Sequence, residues 1–254
     1  MPAPHPPLRA YYPSERDRSA FVRAIFDRTA GDYDRLERLL GLGTGSWYRR
    51  RALREAGLAA GMRVIDVGTG TGLLARAAAA IVGDPSLVTG VDPSAGMIEH
   101  ARVPAGLALL AGSAEAIPAA DASADFLCCG YALRHVSDLS AAFAEFHRVL
   151  RPGGRVCLLE ITLPPAGVSR ALLRAWLNGV VPTIAALVAR RDAPLLMHYY
   201  WDTIAACAPP AAIVAALAAA GFAAAERQVD LQIFSAYRAQ RPLPPPAERR
   251  AARG

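Results

Sequence analysis

A glycine-rich turn with an acid on each side is the strongest chemical signal in this chain. One apolar run reaches Asp66, glycines then alternate at Gly68, Gly70 and Gly72, and the next apolar run ends at a second acid, Asp92. Because glycine has no Cβ, its backbone can turn sharply and lie close against a ligand. A helix starting here would present free N–H groups to electron-rich ligand atoms. The pattern therefore predicts a ligand site at this turn.

The turn belongs to a regular alternation of apolar runs and helical patterns. Such alternation implies right-handed crossovers and a mainly parallel sheet with helices on both faces. The pattern predicts strands at 63–67, 87–91, 107–111, 124–129 and 154–161, and helices at 73–82, 95–102 and 139–150. Pro152-Gly153-Gly154 is expected to break the chain before the fifth strand. A helix at 211–220 and strands at 225–231 and 233–238 complete a doubly wound, Rossmann-like α/β fold with a mainly parallel seven-stranded sheet.

One domain accounts for most of the chain. We expect a flexible N-terminus at 1–19, a single domain at 20–241 that begins with a helical cap at 20–60, and a disordered tail at 242–254. The β signal stops at 164–210, where a helical, apolar insertion after the fifth strand is placed to cover a ligand cleft as a lid.

Composition excludes several classes of protein. The chain has 254 residues, 53% of them hydrophobic, enough for one large domain. No unbroken apolar stretch of about 18 residues predicts a membrane span, and the proline-rich start is unlike a signal peptide, so we expect a cytoplasmic protein. The four cysteines show neither CxxC spacing nor clustered histidines, which argues against a metal site. The net charge of +6 is carried by arginines spread along the chain, which is not a nucleic-acid signature but allows a weak attraction to anionic lipid.

Two ligand classes use a turn of this kind. Gly70-x-Gly72-x-x-Ala75, with Asp92 about 20 residues further on, fits the dinucleotide fingerprint. Here, however, the strand ends around Asp66 and the loop already begins at Gly68. The arrangement Asp66-x-Gly68-x-Gly70-x-Gly72 instead resembles the first motif of class I S-adenosylmethionine-dependent methyltransferases. A nicotinamide dehydrogenase remains the minor alternative.

The chemistry of S-adenosylmethionine suits the two acids. A carboxylate at the strand end can pair with the amino group of the cofactor, directly or through water. Asp92 can accept hydrogen bonds from both ribose hydroxyls, since a carboxylate is a double acceptor. Met97 is placed to pack on the adenine, or it belongs to the core.

Four further segments resemble the ubiquinone/menaquinone C-methyltransferases, the UbiE/COQ5 family. The stretch 125–164 reads DFLCCGYALRHVSDLSAAFAEFHRVLRPGGRVCLLEITLP, similar to the family pattern FGLRNV…RVLKPGG…LEFSKP. The stretch 25–34, IFDRTAGDYD, resembles the family's FD-x-x-A-x-x-YD opening. The segments YYWDTI (199–204) and AGF (220–222) resemble its YxYLxxSI and AGF segments.

The resemblance and the glycine loop together imply a set of cofactor contacts. Glu115 belongs to this set, although its carboxylate could serve only to brace its loop. Ser113 stands where the family usually has Asp or Asn. The expected contacts are Asp66, Gly68, Thr69, Gly70, Thr71, Gly72, Asp92, Pro93, Met97, Ser113, Ala114, Glu115, Gly130 and Tyr131.

Arg134 and Tyr33 match family residues on the acceptor side, where this chain also departs from the family. Ala132 replaces a glycine, His135 replaces an asparagine, and the family's C-terminal glycine pair is missing. These departures bear on the substrate more than on the reaction. An O- or N-methyltransferase of a secondary metabolite and a non-catalytic cofactor-binding protein therefore remain alternatives.

The leading hypothesis is C-methylation of a quinol or similar hydroxylated aromatic ring. A ring carbon beside a phenolic hydroxyl becomes nucleophilic when that hydroxyl loses its proton, and histidine suits this task. His135, or a water held by Arg134 and Tyr33, is expected to remove the proton while Arg134 stabilises the phenolate. The aromatic residues Trp176, Tyr199, Tyr200 and Trp201 fit either an acceptor channel or core packing. A lipid-soluble acceptor would bring the enzyme to a membrane surface, and a homodimer is a weak expectation.

Overall fold

A seven-stranded mixed sheet forms the centre of the molecule. The computed structural model describes residues 3–41, 43–188 and 192–245. The strand order is β3-β2-β1-β4-β5-β7-β6, with β1 to β5 parallel and β7 antiparallel to both of its neighbours. The strands are β1 Val64–Val67, β2 Val88–Asp92, β3 Ala108–Ala111, β4 Ala124–Gly130, β5 Leu150–Ile161, β6 Ala223–Asp230 and β7 Phe234–Gln240. The predicted doubly wound α/β fold is confirmed.

Ten α-helices surround the sheet within the described ranges. They are α1 Arg18–Thr29, α2 Tyr33–Leu40, α3 Gly45–Glu55, α4 Leu73–Val82, α5 Ala95–Glu99, α6 Leu139–Val149, α7 Val168–Ala175, α8 Val181–Val188, α9 Ala193–Ala206 and α10 Pro210–Ala219. Caps set several of their starts. Ser94 accepts a hydrogen bond from the Met97 N–H, and Asp138 accepts from the N–H groups of Ser140 and Ala141.

The apolar core forms three clusters. Two of them cover the sheet, with α6 and α10 in one and α3 and α4 in the other. The third lies away from the sheet and joins α1 and α2 to α8 and α9. Because it links the beginning of the chain to the insertion, it brings together residues that are far apart in sequence.

Two predicted boundaries differ from the structure by more than two residues, and the others by one or two at most. Helix α5 ends at Glu99 rather than at 102, since the N–H of Arg102 turns away to the Thr71 carbonyl and Pro104 disfavours helical backbone before it. Pro152-Gly153-Gly154 lies inside β5 instead of before it. Gly153 has a φ of +82° and pairs with the backbone of Arg241, so the break becomes an irregularity within the strand.

The N-terminal segment packs on the domain, which differs from the flexible stretch expected at 1–19. His5, Tyr12 and Arg18 are buried. The Arg18 guanidinium donates to the His5 carbonyl at 2.6 Å and pairs with Glu15. The Ala208 N–H donates to the Pro4 carbonyl at 2.7 Å, which ties the segment to the end of the insertion.

The insertion between β5 and α10 is helical, as the sequence predicts. It contains α7, a π-helical turn at Trp176–Val180, α8 and α9. Its role as a lid stays a prediction. Most of the predicted disordered tail, residues 246–254, lies outside the described residues. Among the helices the structure describes, none is by itself long and apolar enough to cross a membrane; α9 and α10, bent at 75°, pass that test only as a pair.

Candidate functional site

A cavity of about 470 Å³ opens where the parallel strands end. The carboxyl ends of β1, β2 and β4 contribute Val67, Asp92 and Gly130 to its wall. This is the edge at which open α/β sheets bind ligands. The predicted site residues that line it are Tyr33, Gly68, Gly70, Asp92, Pro93, Met97, Ser113, Ala114, Glu115, Gly130, Tyr131 and His135.

The glycine loop needs glycine at its two cavity positions. Gly68 and Gly70 have φ values of +66° and +54°, which side chains with a Cβ rarely adopt. A Cβ on Gly68 would also lie 2.5 Å from the Cβ of Ala132. The loop is tied to the sheet because the N–H groups of Gly68 and Thr69 both donate to the Val91 carbonyl.

Of the two acids that flank the glycine loop, Asp92 is the one that lines the cavity. Its side chain accepts from the Ser94 N–H at 2.9 Å through Oδ1 and from the Gly70 N–H at 2.8 Å through Oδ2. Burial raises its pKa to about 6. Each oxygen keeps further acceptor capacity, so the carboxylate can take two hydroxyl donors such as those of a ribose.

Four expected cofactor contacts lie behind the loop, outside the cavity wall: Asp66, Thr69, Thr71 and Gly72. Asp66 is fully buried and accepts from the Thr69 hydroxyl at 2.7 Å, and burial raises the pKa of Asp66 to about 7. The Thr71 hydroxyl donates to Asp34 on α2, and Gly72 begins α4. These contacts hold the shape of the loop, and the expected role of the four residues as direct cofactor contacts stays a prediction.

The segment after β3 lines a further part of the cavity with Ser113, Ala114 and Glu115. Glu115 lines the cavity and accepts from the Ser137 N–H at 2.7 Å, so it braces the loop that carries His135. Together, Gly68, Gly70, Asp92, Met97, Ser113 and Ala114 form what we call the loop side of the cavity.

An aromatic cluster forms the other side of the site: Phe26, Tyr33, His135, Tyr199 and Tyr200. The His135 ring stacks on both tyrosines of α9, with centroids 5.4 and 5.9 Å away, and Phe26 meets it edge-on at 5.2 Å. The Tyr200 hydroxyl donates to the Tyr33 hydroxyl at 3.2 Å. Of these five residues, Phe26, Tyr33 and His135 line the cavity itself.

His135 carries a free nitrogen at this place. Its Nδ1 lies 3.4 Å from the Tyr199 hydroxyl, whereas its Nε2 is buried and meets no hydrogen-bond partner among the described residues. Burial first, and then the positive charge of Arg134, lower the pKa of His135 well below its usual value. The ring is therefore neutral at pH 7 and one nitrogen carries a lone pair.

Arg134 is not part of the cavity wall, contrary to the expected contact with the substrate. It is 1% exposed, and its Nη1 donates to Glu160 Oε2 at 2.7 Å. Its guanidinium also lies 4.9 Å from the centre of the Tyr200 ring. With Glu160 neutralising it, Arg134 supports the aromatic cluster from behind.

Sequence reasoning missed Glu160 and the contribution of α1. Glu160 stands at the carboxyl end of β5, and that position was the available signal. Ser19, Val22, Arg23 and Phe26 of α1 all line the cavity. Asp27, also on α1, accepts from the Ser94 hydroxyl and the Gly96 N–H, so the acids of the FDRTAGDYD segment fasten α1 and α2 to the loops of the sheet.

Comparison with known proteins identifies the family. The model of the ubiE/COQ5 methyltransferase family matches residues 14–231. The chain belongs to this family. It is therefore an S-adenosylmethionine-dependent methyltransferase, and the predicted family and cofactor are both confirmed.

Curated relatives cover most of the methyltransferase. A Rubrivivax gelatinosus protein named ubiquinone/menaquinone biosynthesis C-methyltransferase UbiE is 35% identical over 82% of this chain and 81% of its own length. A Deinococcus radiodurans protein named demethylmenaquinone methyltransferase is 37% identical over 69% of this chain and 74% of its own.

Solved structures share the fold at lower identity. A Haloferax volcanii methyltransferase, solved with the Trm112 methyltransferase activator, has a TM-score of 0.60 at 20% identity and covers 85% of this chain and 97% of its own. An S-adenosyl-L-methionine-dependent methyltransferase from Methanococcus maripaludis has a TM-score of 0.60 at 18% identity, with coverage of 85% and 93%.

Proposed function

We propose that this enzyme methylates a ring carbon of a quinol-type, hydroxylated aromatic acceptor. One observation carries the proposal: the loop side and the aromatic cluster face the same cavity of about 470 Å³. A flat ring suits walls made by Phe26, Tyr33 and His135, because aromatic rings pack well in stacked or edge-on contacts. The relatives named ubiquinone/menaquinone biosynthesis C-methyltransferase and demethylmenaquinone methyltransferase support the same acceptor class.

The loop side fits the methyl donor. Bound S-adenosylmethionine supplies an electrophilic methyl group on a sulfonium. Asp92 would accept from its ribose hydroxyls, while Met97 and Ala114 offer apolar surface to the adenine. Because Gly68 and Gly70 have no side chains, the remaining parts of S-adenosylmethionine could approach the ends of the strands closely.

His135 is the group we assign to the phenolic proton. It is neutral because of its burial and the charge of Arg134, and its Nε2 has no partner among the described residues. Removing the proton would raise the electron density of the adjacent ring carbon, so this carbon could take the methyl group while the carbon–sulfur electron pair stays with sulfur. The same carbon would then release its hydrogen as a proton to water, which restores the aromatic ring as a phenolate, and the protonated His135 would return its proton to the phenolate oxygen. Orientation of ring carbon and methyl group at about 3 to 3.5 Å supplies much of the rate.

Arg134 and Glu160 act in this proposal as positioning residues. Their ion pair is buried beside the loop that carries His135, and Arg134 stacks on Tyr200. Both contacts keep the aromatic cluster in place without a formal charge in the acceptor space.

The acceptor class is tested by locating the transferred methyl group. The purified enzyme is incubated with S-adenosylmethionine labelled on its methyl group and with a panel of quinols, simple phenols and amines. We expect label on a ring carbon of a quinol. Label on oxygen or nitrogen would overturn C-methylation and favour the alternative activities.

The proton-acceptor role is tested by His135→Ala. We expect kcat to fall by about a hundredfold or more, as is typical when a general base is lost, with the Kd for S-adenosylhomocysteine unchanged. His198→Ala is the matched control, because His198 is exposed and bonds only Asn178 among the described residues. An unchanged kcat in His135→Ala would show that His135 is not the proton acceptor.

A further inference from the structure

The helical insertion exposes four large apolar side chains. Val168 and Leu172 on α7 are 76% and 66% exposed, Val180 in the π-helical turn is 42% exposed, and Leu187 on α8 is 82% exposed. No residue of α7 is buried. We call these four residues the insertion face. Large apolar side chains exposed along consecutive helices indicate a surface that meets a partner.

The other side of the same helices is firmly packed. Leu177, Val181 and Ala185 are buried, and the last two share a cluster with Leu36, Tyr199 and Tyr200. The Trp176 indole N–H donates to the Leu40 carbonyl at 3.2 Å. The orientation of the insertion is therefore set by its inner side, and the insertion face is what remains outside, one helical layer away from the aromatic cluster.

The segment that carries the insertion face, residues 161–191, has charged side chains of one sign. Residues 161–191 contain four arginines and no aspartate or glutamate. Arg170 and Arg174, one turn apart on α7, are exposed, and the Nε of Arg170 donates to the Pro164 carbonyl. At about 100° per residue, Arg170 and Arg174 lie on the side of α7 opposite Val168 and Leu172. A helix with an apolar face and an arginine-bearing face is typical of helices that lie in the interface of an anionic bilayer.

This charge pattern favours a lipid surface over a second copy of the chain. A two-fold interface would bring the same patch of both copies together, so two segments that each contain four arginines and no acid would lie close to each other. Anionic headgroups complement the same arginines while the acyl boundary takes up the apolar side chains.

We propose that the insertion face docks the enzyme on an anionic phospholipid bilayer. Val168, Leu172, Val180 and Leu187 enter the acyl boundary, and Arg170 and Arg174 meet the headgroups. The benefit to catalysis rests on the proposed function, since an apolar quinol would dissolve in the bilayer. The docking itself depends only on the surface.

The test measures binding of the full chain to vesicles that contain no acceptor. Sedimentation is compared for phosphatidylcholine with phosphatidylglycerol and for phosphatidylcholine alone. We expect binding to the anionic vesicles only, weakened about tenfold or more by Val168→Asp or Leu172→Asp and about fivefold by Arg174→Ser.

Two matched variants control for the change of side chain. Leu231→Asp alters a residue that is 78% exposed on the β6–β7 hairpin, and Arg54→Ser removes an exposed arginine from α3. Both should bind vesicles as the unaltered protein does, and thermal unfolding shows that every variant is folded.

The outcomes separate docking from the reaction. Loss of vesicle binding in the insertion variants, with methyl transfer to a water-soluble acceptor unchanged, supports the proposal. Absent binding, binding without anionic lipid, or equal losses in the control variants would overturn it. A dimer in analytical ultracentrifugation that Leu172→Asp dissociates, without vesicle binding, would instead assign the face to self-association. A failure of methyl transfer with vesicle binding intact would count against the proposed function alone.

Discussion

The two sides of the cavity are built in different ways. The loop side comes from one stretch of chain, residues 67–115, whose turns follow neighbouring parallel strands. The aromatic cluster is assembled from α1, α2, the turn after β4, and α9. On the loop side, backbone N–H groups hold the carboxylate of Asp92, whereas the aromatic cluster is held by ring contacts and one buried ion pair. The loop side thus depends on local geometry and the aromatic cluster on long-range packing.

The largest effect is expected where the aromatic cluster depends on its ion pair. Glu160→Ala leaves Arg134 charged and buried without its partner, and we expect the free energy of unfolding to fall by about 3–5 kcal/mol in chemical denaturation. Asp121→Ala is the matched control, because Asp121 pairs with Arg148 at the same 2.7 Å but is 78% exposed. Its loss should stay below about 1 kcal/mol. Equal losses would show that burial does not distinguish the two pairs.

The next effect belongs to the loop side. Asp92→Ala removes the acceptor for the ribose and the anchor of the Gly70 N–H, so we expect the Kd for S-adenosylhomocysteine to rise by about a hundredfold in calorimetry. Asp84→Ala is the control, since Asp84 accepts from the N–H two residues on, as Asp92 does, but lies outside the cavity. An unchanged Kd in Asp92→Ala would show that the cofactor does not bind at this loop.

The same carboxylate predicts a pH dependence. The pKa of Asp92 is raised to about 6 by burial, so the group is ionised above that pH and protonated below it. A protonated carboxyl loses acceptor capacity, and the Kd for S-adenosylhomocysteine should rise by up to about tenfold for each pH unit below 6. Calorimetry across this range should show a flatter profile for Asp92→Asn. A profile unaffected by that substitution would assign the dependence to another group.

The smallest effect tests whether the two sides are independent. Tyr33→Phe removes the acceptor of the Tyr200 hydroxyl and keeps the ring. We expect stability to fall by about 1 kcal/mol in chemical denaturation while the Kd for S-adenosylhomocysteine stays constant. Tyr11→Phe, which removes a 2.6 Å bond to Asp202 outside the cavity, is the comparison. A weaker Kd in Tyr33→Phe alone would mean that the aromatic cluster controls the loop side.

The sequence predicted helices and loops correctly where their structure depends on residues close together in the chain. The predicted bounds of α4 are those observed, because apolar periodicity and the flanking glycines act locally. The order of glycines also placed the loop at the end of β1. The break predicted at Pro152-Gly153-Gly154 was wrong, because the backbone of Arg241 pairs with this segment and continues the strand. Arg241 is far from this segment in the sequence.

The same division runs through the candidate site. Asp92 and Met97 could be placed from their strand and helix, yet the spacing of Asp66 could not show that its carboxylate turns inward to Thr69. Arg134 was expected to face the substrate, and only the folded chain brings Glu160 close enough to hold it inside. The guanidinium of Arg134 can be buried because it pairs with Glu160, which lies 26 positions further along the chain.

The sequence by itself determined the alternating α/β architecture, the family and the cofactor-binding loop, because each is written in short-range periodicity or in contiguous motifs. The tertiary structure decided which side chains face the cavity, the neutral state of His135, and the outward face of the insertion. These depend on burial and on contacts between segments that only the folded chain brings together.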